Sequence, residues 1–198
     1  MIPGPIFPKD PLDAHRRRLV DGRDWLGYLG MFDSHHRLAP FLSIQAGLTD
    51  REYWRCLRFV WEMSECMATD REAWQGLMFA YREGGRAMMS AAERAKLRGL
   101  PDPLRVFRGQ KDATHPLGFS WTTSRPVAKR FAILYQKRFL GTEWNRGESA
   151  VVFAGTVRKN CVLAYLMGRN ESEVIVEPEQ VESIRMTPIN GPAPLPRR

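Results

Sequence analysis

The stretch Glu171-Ser172-Glu173-Val174-Ile175-Val176 indicates a β fold for the back half of the chain, because two acids lead directly into an apolar, β-branched run. Such runs, bounded by turn residues, are typical of buried strands. Similar runs elsewhere in the back half predict five further strands, at 104–108, 119–123, 150–157, 162–166 and 181–186. One helix interrupts them at about 126–139, with Pro126 in its first turn. Its spacing places four apolar residues on one face: Val127, Phe131, Leu134 and Tyr135.

The chain before Gly99 has the pattern of a helical protein. Three capping boxes, each a Ser or Thr followed three residues later by Glu, predict helix starts at Thr49, Thr69 and Ser90. Helical spacing favours packing of the aromatic and aliphatic residues that follow into a core, rather than a base-stacking surface for nucleic acid. These residues are Tyr53, Trp54, Leu57, Val60 and Trp61, then Trp74, Leu77, Met78 and Tyr81.

Together these patterns predict an α+β protein in three parts. Residues 1–100 form a helical subdomain that docks a target or supports the rest of the chain. Residues 101–187 form a mostly β core. Residues 188–198 form a proline-rich, flexible tail.

Composition limits the classes of partner. The 198 residues carry a net charge of +8, which favours anionic partners, although an ordinary solvated basic surface is the simpler explanation. The three cysteines lack C-x-x-C spacing, so we expect neither disulfides nor a metal site. No run approaches the roughly 20 apolar residues of a membrane helix. The first residues lack a signal-peptide pattern, so we expect a cytoplasmic protein without a membrane partner.

Three segments of the back half carry polar residues suited to catalysis. Val106-Phe107-Arg108-Gly109 places an arginine at the predicted end of a strand. Gly118-Phe119-Ser120-Trp121-Thr122-Thr123-Ser124 is a strand with hydroxyls, and strand alternation puts Ser120 and Thr122 on one face. The same alternation puts Glu171 and Glu173 on one face. Two carboxylates that close repel each other, which a purely structural site would have to offset with a cation.

This order of strand arginine, strand serine and paired glutamates resembles the R-S-E class of ADP-ribosyltransferases, which includes many bacterial toxins and phage enzymes. The resemblance covers 104–186, and the Ser-Trp-Thr-Thr-Ser of 120–124 departs from the Ser-Thr-Ser usual in that family. It implies a split β-sandwich core that binds NAD⁺, as a substrate, in the cleft between two sheets. It also implies an effector that acts in the cytoplasm of a host cell.

The resemblance further implies four catalytic residues. Arg108 anchors the pyrophosphate, since a planar guanidinium matches phosphate oxygens with two parallel hydrogen bonds. Ser120 holds Glu173, which binds the ribose 2′-hydroxyl and stabilises the oxocarbenium-like ribose. Glu171 orients or deprotonates the acceptor. In that class a glutamate two residues before the catalytic one accompanies arginine as acceptor, and a guanidinium is a poor nucleophile without a base.

Residues around these four are expected to contact the cofactor. They are Arg108, Gly109, Ser120, Thr122, Phe131 and Tyr135. Aromatic and basic residues farther along, Lys137, Arg138, Trp144 and Arg146, would cover nicotinamide and phosphate, or simply form an exposed basic loop.

The predicted function is that of an NAD-dependent mono-ADP-ribosyltransferase, a glycosyltransferase, with a protein arginine as the preferred acceptor. Two alternatives remain open. One is an NAD glycohydrolase on the same fold, with water as the acceptor. The other is a non-catalytic basic module that binds nucleic acid or a protein partner.

Overall fold

The computed structural model describes residues 11–64, 70–79, 82, 84–138 and 149–189. The chain divides into two compact units, Met1–Met88 and Met89–Arg198. The second unit begins before the change in composition at Gly99. Its first helix, Ala91–Gly99, therefore belongs with the β-rich part of the chain and not with the helices predicted for 1–100.

The described part of the first unit is helical. Helix α4 has the predicted capping box, in which Thr49 and Glu52 bond reciprocally. Helix α5 begins with Asp70 as its N-cap residue, and Thr69, the predicted cap, lies outside the described residues. The helices are α1 (Pro11–Asp21), α2 (Trp25–Gly30), α3 (Leu38–Ile44), α4 (Asp50–Met63) and α5 (Arg71–Met78).

The core of the first unit consists of the aromatic and aliphatic residues that helical spacing selected. All the predicted core residues of α4 and α5 are buried, and Trp61 meets Trp74 edge to face at 5.2 Å between ring centroids. Tyr81 lies outside the described residues. These rings therefore pack inside the unit and do not form a base-stacking surface.

The described residues of the second unit form the six predicted strands and two α-helices. Helix α6 (Ala91–Gly99) begins with the predicted Ser90–Glu93 capping box. The remaining elements are β1 (Leu104–Gln110), β2 (Ser120–Thr122), α7 (Arg125–Arg138), β3 (Val151–Val157), β4 (Ala164–Leu166), β5 (Glu173–Ile175) and β6 (Glu182–Pro188).

The described strands form one antiparallel sheet in the order β4-β5-β2-β1-β3-β6. Strands β1 and β3 pair along seven positions, from Leu104↔Val157 to Gln110↔Val151. Strands β1 and β2 pair only at Phe107↔Thr122. The sheet therefore has two halves, β4-β5-β2 and β1-β3-β6, joined through a narrow connection. The resemblance implied two separate sheets at this place.

Helix α7 covers one face of the sheet, where Ala128 and Ala132 pack in a cluster with Phe107 and Val152. Two residues of the predicted tail also belong to this unit. Pro188 pairs with Val151, and the buried Ile189 donates its N–H to Ala150 O at 2.7 Å. The prediction of a flexible tail from residue 188 is therefore wrong for residues 188 and 189, and residues 190–198 lie outside the described part.

Among the described residues, no helix combines the length and the apolar character needed to cross a bilayer.

Candidate active site

Arg108 lies inside β1, which continues through Gly109 to Gln110, and not at the strand end as predicted. Strand alternation turns its side chain away from α7, since the neighbouring Phe107 packs against that helix. Its Nη1 donates to Ser120 O at 2.6 Å and its Nε donates to Gln110 Oε1 at 3.1 Å. The guanidinium is thus fixed by a backbone carbonyl of β2 and a side chain of its own strand.

Gly118 leaves room for this guanidinium. A Cβ added at Gly118 would lie 2.7 Å from Arg108 Nη2 and 3.0 Å from its Cζ. A larger residue at this position would displace the arginine side chain, because such distances are well inside van der Waals contact.

Ser120 and Glu173 meet across the β2–β5 ladder. The register places Thr122 opposite Glu173 and Ser120 opposite Ile175, so Ser120 is a diagonal, same-face neighbour of the glutamate. Ser120 Oγ donates to Glu173 Oε1 at 2.5 Å, and Glu173 is buried. Arg108, Ser120 and Glu173 therefore form a connected group at the junction of the two halves of the sheet.

Thr122 is buried and holds the backbone before β5. Its Oγ1 donates to Glu171 O at 2.6 Å and accepts from Ser124 N at 3.0 Å. The adjacent Thr123 N donates to Ser172 O at 3.2 Å. These two hydrogen bonds of Thr122 go to the backbone on either side, so this residue positions Glu171.

Glu171 does not belong to the extended strand. The residues around it, Arg169, Asn170 and Ser172, have positive φ angles of 56°, 55° and 47°. Strand alternation therefore fails here, and the predicted reason for placing Glu171 and Glu173 on one face is wrong. Thr122 connects the backbone of Glu171 to β2 instead.

Two arginines flank the Glu171 carboxylate. Arg169 Nη2 lies 3.4 Å from Oε2, and Arg130 Nη2 lies 3.8 Å from Oε1. These arginines supply positive charge beside the Glu171 carboxylate, which offsets repulsion by any nearby negative charge. The paired glutamates are therefore weaker evidence for a functional site than the sequence suggested, because two arginines of the chain already balance the charge of Glu171.

The loop after β1 is organised around the buried carboxylate of Asp112. Its Oδ1 accepts from Thr114 N, from Thr114 Oγ1 and from His115 Nδ1, at 2.9, 2.9 and 2.8 Å. Burial alone would raise the pKa of Asp112, but the hydrogen bonds from His115 and Thr114 outweigh it and lower the pKa to about 2. Gln110 Nε2 donates to His115 O at 3.0 Å, so this loop is connected to the residue that holds Arg108.

A second buried acid fixes the start of the loop that carries Glu171. Glu93 closes the capping box of α6 through Oε2, which accepts from Ser90 N at 2.7 Å. Its other oxygen, Oε1, accepts from Met167 N at 2.9 Å. The loop between β4 and β5 is therefore bonded to α6 at Met167 and to β2 at Glu171.

The remaining predicted cofactor contacts lie on or beneath α7. Gly109 faces the helix, and a Cβ added there would lie 1.9 Å from Ala128 O, so this glycine serves close packing. Phe131 stacks on Tyr135 with centroids 5.9 Å apart. Tyr135 and Leu134 are 42% and 51% exposed, which places the apolar stripe of α7 outward while its alanines face the sheet.

A contact of Phe131 or Tyr135 with the cofactor stays a prediction. Trp144 and Arg146 lie outside the described residues, as do the side chains of Lys137 and Arg138.

Sequence reasoning did not assign a role to several residues at this site. Gln110 could have been found, because it lies two residues from Arg108 and strand alternation puts both on one face. Gly118 begins the segment that contains Ser120, and Arg169 lies two residues before Glu171. Neither a guanidinium's need for space nor a left-handed turn leaves a periodic signal. Arg130 reaches Glu171 only through the tertiary fold.

Comparisons of the chain with protein-family models, with curated proteins and with solved structures gave no match. The chemistry of the site is therefore inferred from the residues themselves.

Proposed function

We propose that the protein is an NAD-dependent mono-ADP-ribosyltransferase that transfers ADP-ribose from NAD⁺ to an arginine side chain of a protein. The observation that carries the proposal is the 2.5 Å hydrogen bond from Ser120 Oγ to the buried Glu173 carboxylate, next to the Arg108–Ser120 contact. A carboxylate, a hydroxyl and a guanidinium in this arrangement supply what cleavage of a nicotinamide–ribose bond requires.

Glu173 stabilises the charge that develops on the ribose. When the bond from C1′ to the nicotinamide nitrogen breaks, positive charge spreads over C1′ and the ring oxygen, as in glycoside hydrolysis. A carboxylate in a site shielded from water stabilises such a cation far better than one in bulk solvent. The hydrogen bond from Ser120 fixes the carboxylate beforehand, so no reorientation is needed during the reaction.

Arg108 binds the pyrophosphate. A guanidinium offers up to five N–H donors in one plane, an arrangement that matches two phosphate oxygens. Gln110 and the Ser120 carbonyl fix its orientation. Because Ser120 contacts both Arg108 and Glu173, the site relates the phosphate end of the substrate to its reacting ribose.

Glu171 orients the acceptor. Its carboxylate already lies within ion-pair distance of two guanidinium groups, so it is suited to hold an incoming arginine. An arginine must lose a proton to act as a nucleophile, and a neighbouring carboxylate can accept that proton as the new bond forms.

The test compares wild type with Glu173→Gln, which keeps the shape of the side chain but removes its charge. The proteins are incubated with labelled NAD⁺ and a bacterial lysate, and both nicotinamide release and protein-bound label are measured. We expect Glu173→Gln to lower both by about 10²–10³-fold, the usual effect of losing one electrostatic contact to a transition state. Glu182→Gln, at an exposed position of β6, is the matched control and should retain both activities.

Each alternative predicts a different outcome. An NAD glycohydrolase would release nicotinamide and free ADP-ribose without labelling protein. A non-catalytic basic module would release no nicotinamide, and its binding would survive the Glu173→Gln substitution. Equal labelling by wild type and Glu173→Gln would remove Glu173 from the catalytic role.

A further inference from the structure

The partners of the Glu171 carboxylate include two arginines of the same chain. Arg169 lies at 3.4 Å and Arg130 at 3.8 Å, and both arginine side chains are 53% exposed, whereas that of Glu171 is 14% exposed. Under the proposed function, Glu171 is the group that holds an acceptor guanidinium. The fold therefore places guanidinium groups of its own at the acceptor side of the site.

The loop that carries Arg169 is fixed at both ends. Glu93 holds its beginning through Met167 N, and Thr122 holds its end through Glu171 O. Between these anchors, Arg169 has a φ of 56°, a left-handed conformation that a non-glycine residue adopts only where its surroundings impose it. The loop thus holds the backbone of Arg169 beside Glu171, and the Arg169 guanidinium lies within ion-pair distance of that carboxylate.

We propose that Arg169 is a site of self-modification, to which the protein transfers ADP-ribose from NAD⁺; this inference rests on the proposed function. In this step the bond between ribose C1′ and the nicotinamide nitrogen breaks, and nicotinamide leaves with the electron pair. A guanidino nitrogen of Arg169 forms the new bond to C1′. The guanidinium gives up one proton, which the Glu171 carboxylate accepts and passes to water, so no further reactant is needed.

Arg169 is preferred over Arg130 for two reasons. Its Nη2 lies closer to the carboxylate, at 3.4 Å against 3.8 Å. Arg130 also lies over the ring of Phe131, with its Cζ 5.3 Å from the ring centroid, a cation–π contact that restrains its guanidinium on α7. An acceptor held within the same chain reacts without the entropy cost of a second molecule, which favours it over arginines elsewhere.

To test this, the purified protein is incubated with labelled NAD⁺ and no other protein. Nicotinamide release is measured in parallel with the label on the chain, and the modified residue is located by peptide mass spectrometry. Arg169→Lys keeps the positive charge next to Glu171 but removes the guanidino nucleophile. Arg185→Lys, at an exposed position of β6, is the matched control.

We expect the label on Arg169. Self-labelling by Arg169→Lys should fall to the background level of Glu173→Gln, and Arg185→Lys should retain its labelling. The labelled fraction at a given time should not change on dilution of the protein, as expected for transfer within one chain. Nicotinamide release with no label on Arg169, or undiminished labelling of Arg169→Lys, would overturn the self-modification proposal alone. No nicotinamide release by wild type, either alone or with the bacterial lysate, would overturn the proposed function as well.

Discussion

Asp112 shows how one buried side chain supports the site without belonging to it. The carboxylate gathers the N–H and hydroxyl of Thr114 and the ring of His115, and Lys111 Nζ lies 3.7 Å from its other oxygen. The same loop leads to Gly118, which borders the Arg108 guanidinium. The order of this loop, and with it the position of Arg108, therefore depends on the charge of Asp112.

Asp112→Asn is expected to destabilise the protein by about 2 kcal/mol at neutral pH, because several hydrogen bonds to a charged acceptor become bonds to a neutral amide. The folded carboxyl has a pKa of about 2, below its ordinary value, so it binds its proton less tightly than the unfolded chain does. Protonation therefore favours unfolding, and the contribution is complete above the unfolded pKa of about 4 and lost as the pH falls toward 2.

The measurement is the difference in unfolding free energy between wild type and Asp112→Asn along a pH series. This difference should be constant from pH 7 to about pH 4 and shrink below that value. A difference that does not change with pH would show that Asp112 contributes through packing alone.

The resemblance predicted the contact of Ser120 with Glu173. At the residue scale, strand alternation gives only which residues of one strand share a face, as for Ser120 and Thr122. It fails for Glu171, whose position depends on left-handed backbone at Arg169, Asn170 and Ser172. Such residues are uncommon outside glycine, and no spacing rule signals them. The ion pair with Arg130 is set by tertiary packing and is equally invisible in the sequence.

At the scale of elements, the contact between α7 and β1 depends on the smallest side chains. Gly109 lies directly beneath the helix, and an added Cβ would meet Ala128 O at 1.9 Å and Ala132 N at 2.7 Å. Both of these atoms belong to the helix backbone, so no side-chain rotation can relieve the contact. Gly109 thus sets the distance between the helix and the strand that carries Arg108.

Gly109→Ala is expected to destabilise the protein by about 3 kcal/mol, since overpacking against backbone forces the helix away from the sheet. The control is Gly99→Ala, at the end of α6, where an added Cβ meets nothing within 4 Å. The measurement is the melting temperature of each variant. Gly109→Ala should melt below wild type, whereas the control should match or slightly exceed the melting temperature of wild type. Equal melting temperatures for both variants would contradict the close packing at Gly109.

The same contact shows what the spacing of α7 left open at this scale, namely which face of the helix meets the sheet. The helix itself was predicted within one residue, because Pro126 and the apolar spacing mark it clearly. The larger apolar residues of α7 would be expected to face the sheet, yet Ala128 and Ala132 do so. Close approach of backbones selects small residues, and hydrophobic periodicity alone does not identify which face makes that approach.

At the scale of the whole molecule, the net charge of +8 fits both the proposed enzyme and a polyanion binder. A site for one dinucleotide neutralises only a few phosphate charges, whereas a nucleic-acid surface neutralises many. The dependence of activity on salt concentration therefore distinguishes a basic site for one dinucleotide from a basic surface for nucleic acid.

We expect kcat/KM for nicotinamide release to fall by less than about tenfold between about 50 and 200 mM NaCl. A protein making many phosphate contacts loses about 10³-fold or more in affinity over that range. The measurement uses NAD⁺ well below saturation, with retention of labelled DNA and RNA followed at the same salt concentrations. A steep loss of activity, matched by salt-sensitive nucleic-acid retention, would assign the basic charge to nucleic acid.

The organisation of the whole chain was partly readable from the sequence. The change from helices to strands was placed correctly near Gly99, since periodicity changes there. The division into units was not, because α6 has helical spacing like the segments before it and only its contacts place it with the sheet. The order of strands was also beyond the sequence, since short antiparallel strands with similar patterns can pair in many ways.

The narrow connection between the halves of the sheet determines where β1 and β2 can separate most easily. Beyond Phe107↔Thr122, the link from β1 to β2 runs through the Arg108 guanidinium and the Ser120 carbonyl, a contact of side chain with backbone. Releasing that contact costs about one hydrogen bond, roughly 1–3 kcal/mol for a charged donor, and leaves the β1–β3 ladder untouched. We therefore expect the sheet to open first at this connection, while the three strands on either side of it stay paired.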